Sequence, residues 1–295
     1  MSRPIIKWAG GKTRVLPDLL PFLPKADCLV EPFVGGASVF LNTDYRRYIL
    51  ADINPDLIGL YRAVKKDPEL FITIARAMFM AGNTQEAYTE FRKKFNALPQ
   101  GEERAAIFLY LNRHGYNGVC RYNSRGGYNV PYGKYKSVYF PELEIRQFAE
   151  KANDTKTIFL CSPFERTLQV IEGVSCAIYC DPPYLPASKT ANFTQYHSGT
   201  FAAEQHRQLV KALIDVNEKC GLPVVISNSD TPATREIYHS FDLHEITVNR
   251  SISANAATRG AANEVIGSLP QRHVLFMGFD PAASGADYSV VSYGK

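Results

Sequence analysis

The chain has 295 residues, of which 45% are apolar and 21% charged, and its net charge is +4. This composition excludes a disordered or fibrous protein and allows about two domains with a sizeable core. No apolar run reaches the roughly 18 residues of a membrane span. The opening MSRPIIKWAGGK lacks the apolar stretch of a secretory signal, so a cytoplasmic protein with no membrane partner is expected. Without such a signal the six cysteines read as reduced thiols, and neither their spacing nor the scattered histidines implies a metal.

KWAGGKT, Lys7 to Thr13, ends like a P-loop, but the first glycine of that motif would have to stand at Ile6, so an ATPase is excluded. Two glycines between Trp8 and Lys12 suggest close approach to a ligand. A strand over Cys28 to Val30 then runs into the glycines of LVEPFVGGASVF, Leu29 to Phe40, and a second strand over Tyr48 to Ala51 ends on Asp52. A glycine turn with an acid at the end of the next strand is how α/β proteins hold a nucleoside and its ribose hydroxyls. FxGG does not match GxGxxG, so the dinucleotide fingerprint fails; a tight turn with an incidental acid is the alternative reading.

About a hundred residues then separate Asp52 from the next strand at Ile158 to Leu160, far more than a loop in a compact domain needs, so an inserted domain is expected. Asp67-Pro68-Glu69 reads as an N-cap and first turn, with Phe71, Ile74, Ala75 and Met78 on one face, and further helices fit Gln85 to Phe95 and Glu102 to Asn112. HGYNGVCRYNSRGGYNVPYGKYK follows, dense in tyrosine, asparagine and arginine. Arg125-Gly126-Gly127 between two Tyr-Asn pairs suggests a β-hairpin or ordered loop. From Arg104 to Pro141 there are six basic residues (Arg104, Arg113, Arg121, Arg125, Lys134, Lys136) and no acid, which favours an anionic partner.

Strands at Ala177 to Cys180, Val224 to Ser227, Leu243 to Val248 and Val274 to Met277 complete the pattern. Most are separated by room for a helix, so the expected fold is α/β: a doubly wound, Rossmann-like sheet of about seven strands, with an inserted, mainly helical domain carrying the hairpin. Residues 1–55 and 146–295 would form the sheet domain and 56–145 the insertion.

Asp181-Pro182-Pro183-Tyr184 ends the fourth strand, because proline cannot donate to a sheet ladder. An acid and an aromatic ring are thereby fixed at the strand's carboxyl end, where open α/β sheets bind ligands. An exocyclic amine conjugated with a heteroaromatic ring is a poor nucleophile. Two acceptors aimed at its hydrogens favour the tetrahedral nitrogen and stabilise the charge that develops on it. The Asp181 carboxylate and the Pro182 carbonyl can be those acceptors, and Tyr184 offers a face for the base to stack on. The stretch from Leu185 to Gly199 suits a lid.

Together these segments, with NRHGYNGVCRYNSRGGYNVPYG at Asn112 to Gly133 and TANFTQYH at Thr190 to His197, resemble the DNA adenine methyltransferase (Dam) family, which modifies adenine N6 within GATC using S-adenosylmethionine. The resemblance covers nearly the whole chain in the order cofactor motif, recognition domain, catalytic motif. It implies that Trp8, Lys12, Phe33, Gly35, Asp52, Phe164 and Asp181 line the cofactor site. It also implies that double-stranded DNA is the partner, faced by Tyr116, Asn117, Val119, Arg121, Pro131 and Tyr135, with Lys7 near the first guanine. Lys134 and Lys136 are then expected on phosphates. Val119 stands where relatives are expected to have leucine, and the tail from Pro270 runs past the resemblance. A target base must leave the stack to be methylated, and a loop rich in tyrosine and asparagine can fill the gap. The alternatives are an amino-methyltransferase of other base or site specificity and a DNA-binding relative that has lost catalysis. A nicotinamide dehydrogenase fits the sheet but lacks the fingerprint.

Overall fold

A computed structural model describes residues 1–171, 175–185, 201–249 and 261–272. Seven strands form one sheet: β1 Cys28–Glu31, β2 Arg47–Asp52, β3 Ile158–Cys161, β4 Ala177–Cys180, β5 Val224–Ser229, β6 Asp242–Asn249 and β7 Ala261–Leu269. Their order is β3-β2-β1-β4-β5-β7-β6. The first five pair in parallel, and β7 runs antiparallel between β5 and β6. The expected seven-stranded α/β sheet is therefore present, with one correction. The seventh strand is Ala261–Leu269, while the stretch Val274 to Met277 lies outside the described residues, as do the tail from residue 273 and residues 186–199 of the expected lid.

Both faces of the sheet are covered, so neighbours along a strand belong to different cores. Leu29, Tyr179 and Val225 pack into one apolar cluster, and Val30, Ile178 and Ile226 into the other. That is why the parallel strands read as continuous apolar runs rather than as alternating ones. The second face is closed by the helices Phe164–Val170, Ala203–Cys220 and Pro232–Ile237, which supply Leu168, Leu213 and Ile237. The first carries α1 Pro55–Lys66, α2 Pro68–Met80, α3 Gln85–Ala97, α4 Glu102–His114 and α5 Glu142–Asp154.

Each start of α1 to α3 has a local cause. Asn54 caps α1 by accepting from the amides of Asp56 and Leu57, Asp67 caps α2 through Leu70, and Thr84 caps α3 through Ala87. Proline at the first position of α1 and α2 gives up no hydrogen bond there. α1 lies against β2 and β3, whereas α2 packs mainly on α1, α4 and α5, and α3 on α4. The apolar core runs without a break from Leu50 and Phe159 of the sheet through Phe148 to Phe108, Phe95 and Tyr128 of the helical layer. Among the described residues no helix is long and apolar enough to cross a membrane.

Candidate active site

Strand order reverses between β1 and β4, so their carboxyl ends flank the crevice where such sheets bind ligands. β1 leads into Pro32-Phe33-Val34-Gly35-Gly36, and β4 into Asp181-Pro182-Pro183-Tyr184. Because β7 runs in reverse, its Glu264 stands opposite Ser229 at the same edge.

The glycine loop is shaped by Trp8. Gly35 has φ +46°, and a Cβ there would lie 2.8 Å from the indole Nε1; at Gly36 it would lie 3.1 Å from the Trp8 Cβ. A close packing of backbone on the Trp8 side chain thus falls on Gly35 and Gly36. Tyr61 of α1 donates to the Gly35 carbonyl at 2.6 Å. Asp52 at the end of β2 accepts from the amides of Gly35 at 3.2 Å and Asn54 at 2.9 Å. Burial outweighs those bonds and pushes the Asp52 carboxyl up to about 6. Phe33 and Phe164 meet with ring centres 5.8 Å apart, beside Phe201.

Asp181 is ion-paired with Lys12, Nζ to Oδ1 being 2.7 Å, and Lys12 is almost fully buried. Lys12 also donates to the Tyr184 hydroxyl at 2.6 Å, which in turn donates to Glu264 Oε2 at 2.6 Å. Ser227 of β5 donates to Asp181 Oδ1 at 3.1 Å. Burial raises the Asp181 carboxyl above the usual range, with Lys12 opposing the rise. Burial and the nearby Asp181 push Glu31, at the end of β1, up to about 8, which favours its neutral form at pH 7; its Oε1 has no partner among the described residues. His206 holds the carbonyl of Pro183 at 3.0 Å, while Asn228 accepts from the Leu185 amide at 3.2 Å. Burial lowers His206 to about 4, so its ring is neutral at pH 7 and holds this turn without adding charge.

The stretch after α4 forms a tight turn with isolated antiparallel bridges, Tyr122 to Tyr128 and Gly115 to Tyr132, instead of two regular strands. Asn123 Oδ1 accepts from the amides of Arg125 and Gly127, and Gly126 takes φ +78° at the tip. Tyr116, Asn117, Arg121, Pro131, Lys134 and Lys136 are exposed; Lys7, Val119 and Tyr135 are half-buried. Arg121 lies along the turn, bonded through Nε to Asn129 Oδ1 at 2.8 Å and through a terminal nitrogen to the Asn129 carbonyl at 3.1 Å. The Lys7 Nζ sits 4.1 Å above the Tyr135 ring and donates to the Arg113 carbonyl at 3.2 Å. Burial and the nearby Arg113 lower its pKa.

Two basic residues of the acid-free stretch do not face outward. Arg104 pairs with the buried Asp56 of α1 at 2.7 Å, and Arg113 is buried with its guanidinium on the Ile5 carbonyl. Their acceptors lie 48 and 108 residues away in sequence. Asp56 also accepts from Gln100 at 2.8 Å and from Tyr122 at 2.6 Å, and so ties the base of the turn to the first turn of α1, immediately after Asp52.

With this geometry in place, the profile of the D12 class N6 adenine-specific DNA methyltransferases matches residues 8–252. The chain belongs to that family. As a member it is a DNA-modifying enzyme that draws on a methyl donor and acts on adenine N6. It is 49% identical over 266 residues to the DNA adenine methylase of Escherichia coli K12, covering 90% of this chain and 94% of that one. It is 46% identical over 270 residues to the DNA adenine methylase of Vibrio cholerae O1 El Tor Inaba N16961 (90% and 95%) and 44% identical over 266 residues to that of Serratia marcescens (90% and 97%).

In this methyltransferase the sequence motifs converge as far as Trp8, Lys12, Gly35, Asp52, Asp181 and Tyr184 are concerned, all at one sheet edge. Ser227, Glu264 and His206 also serve that edge and went unread. For Ser227 a signal exists: Ser227-Asn228-Ser229-Asp230 is a polar run ending an apolar strand.

Proposed function

We propose that the methyl donor is S-adenosylmethionine and that the enzyme methylates adenine N6 within GATC of double-stranded DNA, acting on a base flipped out of the stack. The observation that carries this reading is Asp181, anchored by Lys12 at the carboxyl end of β4 across the strand-order reversal from the Gly35 loop.

The residues present fit the donor. Gly35 lies so close to the Trp8 indole that any Cβ would fill the space between them, and Asp52 keeps acceptor capacity at the end of β2 for ribose hydroxyls. When bound, S-adenosylmethionine supplies a methyl group on a positively charged sulfur. Asp52, Asp181 and Glu264 gather at this edge with Lys12 paired to Asp181, an arrangement that favours a cationic ligand. Trp8, Lys12, Phe33, Gly35, Asp52, Phe164 and Asp181 are the proposed donor-site residues.

Asp181 and the Pro182 carbonyl accept the two N6 hydrogens of adenine, which draws the nitrogen toward tetrahedral geometry and frees its lone pair for the methyl carbon. The proton that N6 then sheds passes to Asp181, whose burial-raised pKa suits it as acceptor. Tyr184 stacks on the base.

The insertion at 56–145 is the proposed target-recognition domain, with α1 shared between it and the sheet. Tyr116, Asn117 and Val119 fill the gap left by the flipped base, together with Pro131 and Tyr135. Arg121 reads a guanine of an outer base pair, Lys7 lies near the first guanine, and Lys134 and Lys136 bind phosphates.

The test is to incubate the purified protein with labelled S-adenosylmethionine and unmodified DNA, and to map the modified base at single-nucleotide resolution. N6-methyladenine confined to GATC is expected. Label on cytosine, or on adenine irrespective of sequence, would contradict the reading.

A further inference from the structure

The two oxygens of Asp181 stand in different surroundings. Oδ1 receives both donors that reach this carboxylate, Lys12 Nζ at 2.7 Å and Ser227 Oγ at 3.1 Å. Oδ2 has no partner among the described residues. The Asp181 side chain is 19% exposed against 5% for Lys12, so the carboxylate is less enclosed than its lysine partner.

Hydrogen counting fixes the direction of every bond around Oδ1. Ser227 has one hydroxyl proton and spends it on Asp181, so the 2.9 Å contact between Ser227 and Tyr179 is a donation from the tyrosine. The Lys12 ammonium has three protons, directed at Asp181 Oδ1, the Tyr184 hydroxyl and, at 3.4 Å, the Gly10 carbonyl. Tyr184 therefore accepts from Lys12 and gives its own proton to Glu264. One chain of donors, from Tyr179 of β4 through Ser227, thus ends on Oδ1, and Lys12 reaches the same oxygen while a second of its protons is held through Tyr184 by Glu264 of β7.

We propose that Ser227 is a positioning residue for methyl transfer: with Lys12, itself held by Tyr184 and Glu264, it occupies Asp181 Oδ1 and so presents Oδ2 to the target amine. The terminal torsion of an aspartate is broad and two-fold, and an unsupported carboxylate would exchange its oxygens and wander in angle. Two donors on one oxygen remove that symmetry before the base arrives, which is where preorganisation lowers a barrier. Ser227 is nearly fully buried, behind Asp181 on the next strand, so it touches no substrate itself.

This inference rests on Asp181 being the amine acceptor, and the experiment separates the two claims. Single-turnover transfer to a GATC duplex is measured with saturating S-adenosylmethionine from pH 5 to 9, for the wild type, Ser227→Ala, Ser227→Cys and Asp181→Asn. Ser227→Ala is expected to slow the transfer step by about 10- to 100-fold, as for a lost bond to a charged group in a positioned site, while donor and DNA affinities hold. Its acid limb should also move to higher pH, because a donor that favours the ionised carboxylate is gone. Of the other groups facing Asp181, Lys12, Glu31 of β1, Tyr184, Tyr238 and Glu264 of β7 keep their partners in that variant, whereas Tyr179 loses the acceptor of its hydroxyl. Should Ser227→Ala not fold, Ser227→Cys, a weaker donor of similar size, is expected to show the same two changes in lesser degree. A wild-type rate and acid limb in the folded Ser227 variant, with Asp181→Asn inactive, would overturn the inference alone. A wild-type rate in Asp181→Asn would overturn the reading of Asp181 beneath it.

Discussion

The carboxyl edge of the sheet and the turn between residues 115 and 136 treat charge in opposite ways. At the sheet edge Lys12, Asp181, Tyr184 and Glu264 satisfy one another, and burial raises the pKa values of Asp181 and Asp52. On the turn Arg121, Arg125, Lys134 and Lys136 stand in solvent, and what is buried there is the anchoring: Asp56 beneath Tyr122, Asn96 on the Tyr128 amide, Tyr88 on the Val130 carbonyl. A reacting site needs fixed dipoles and displaced pKa values, whereas a surface that meets a polyanion needs mobile, hydrated cations on a rigid base. Asp56 is where the two regions join.

Removing that join should have the largest effect. Asp56→Ala leaves Arg104 buried without its partner, and breaking a buried pair in this way costs about 3–5 kcal/mol. Urea denaturation is expected to show that loss, and a stability within experimental error of the wild type would mean that the regions are held together elsewhere.

Arg121→Ala sharpens the contrast from the recognition side. It should relax discrimination chiefly at one outer base pair of GATC, by about 1–3 kcal/mol or roughly 5- to 150-fold, the worth of a bidentate guanine contact. Methylation rates on GATC and its single-base variants decide it; a common factor at every sequence would make Arg121 a phosphate contact.

At the sheet edge the corresponding lever is pH. Burial raises Asp52 to about 6, so the carboxylate proposed to accept ribose hydroxyls is present above that pH and lost as pH falls through it. Donor affinity measured by calorimetry should therefore weaken below pH 6, approaching about tenfold per pH unit for one linked proton. Asp52→Asn should bind more weakly and lose this dependence. A wild-type affinity flat from pH 5 to 7 would contradict the role given to Asp52.

The smallest change is expected from the exposed lysines. Lys134→Ala and Lys136→Ala should weaken all DNA sequences alike and flatten the salt dependence by about 0.9 in log-log slope for each phosphate contact removed. A shift in base preference would interchange their role with that of Arg121.

The same contrast explains what the sequence disclosed. Local rules carried the helix start at Pro68, the parallel strands and the Asp181-Pro182-Pro183-Tyr184 terminus, because caps, proline and apolar runs act over a few residues. The polar run from Ser227 marks a strand end but not its partner, because Asp181 lies 46 residues away; Glu264 is illegible because Tyr184 lies 80 residues away and because β7 places a glutamate inside a strand. Arg104 and Arg113 read as surface cations for the same reason. An acid-free stretch says nothing of a carboxylate that the fold brings in from α1.

The central claim, that the Asp181 carboxylate stabilises the charge developing on the target nitrogen, is tested most directly by the single-turnover rate of Asp181→Ala with saturating donor and GATC duplex, alongside duplex affinity. A loss on the order of a hundredfold or more, with duplex binding largely kept, is predicted for one preorganised transition-state partner. A rate near that of the wild type would contradict it.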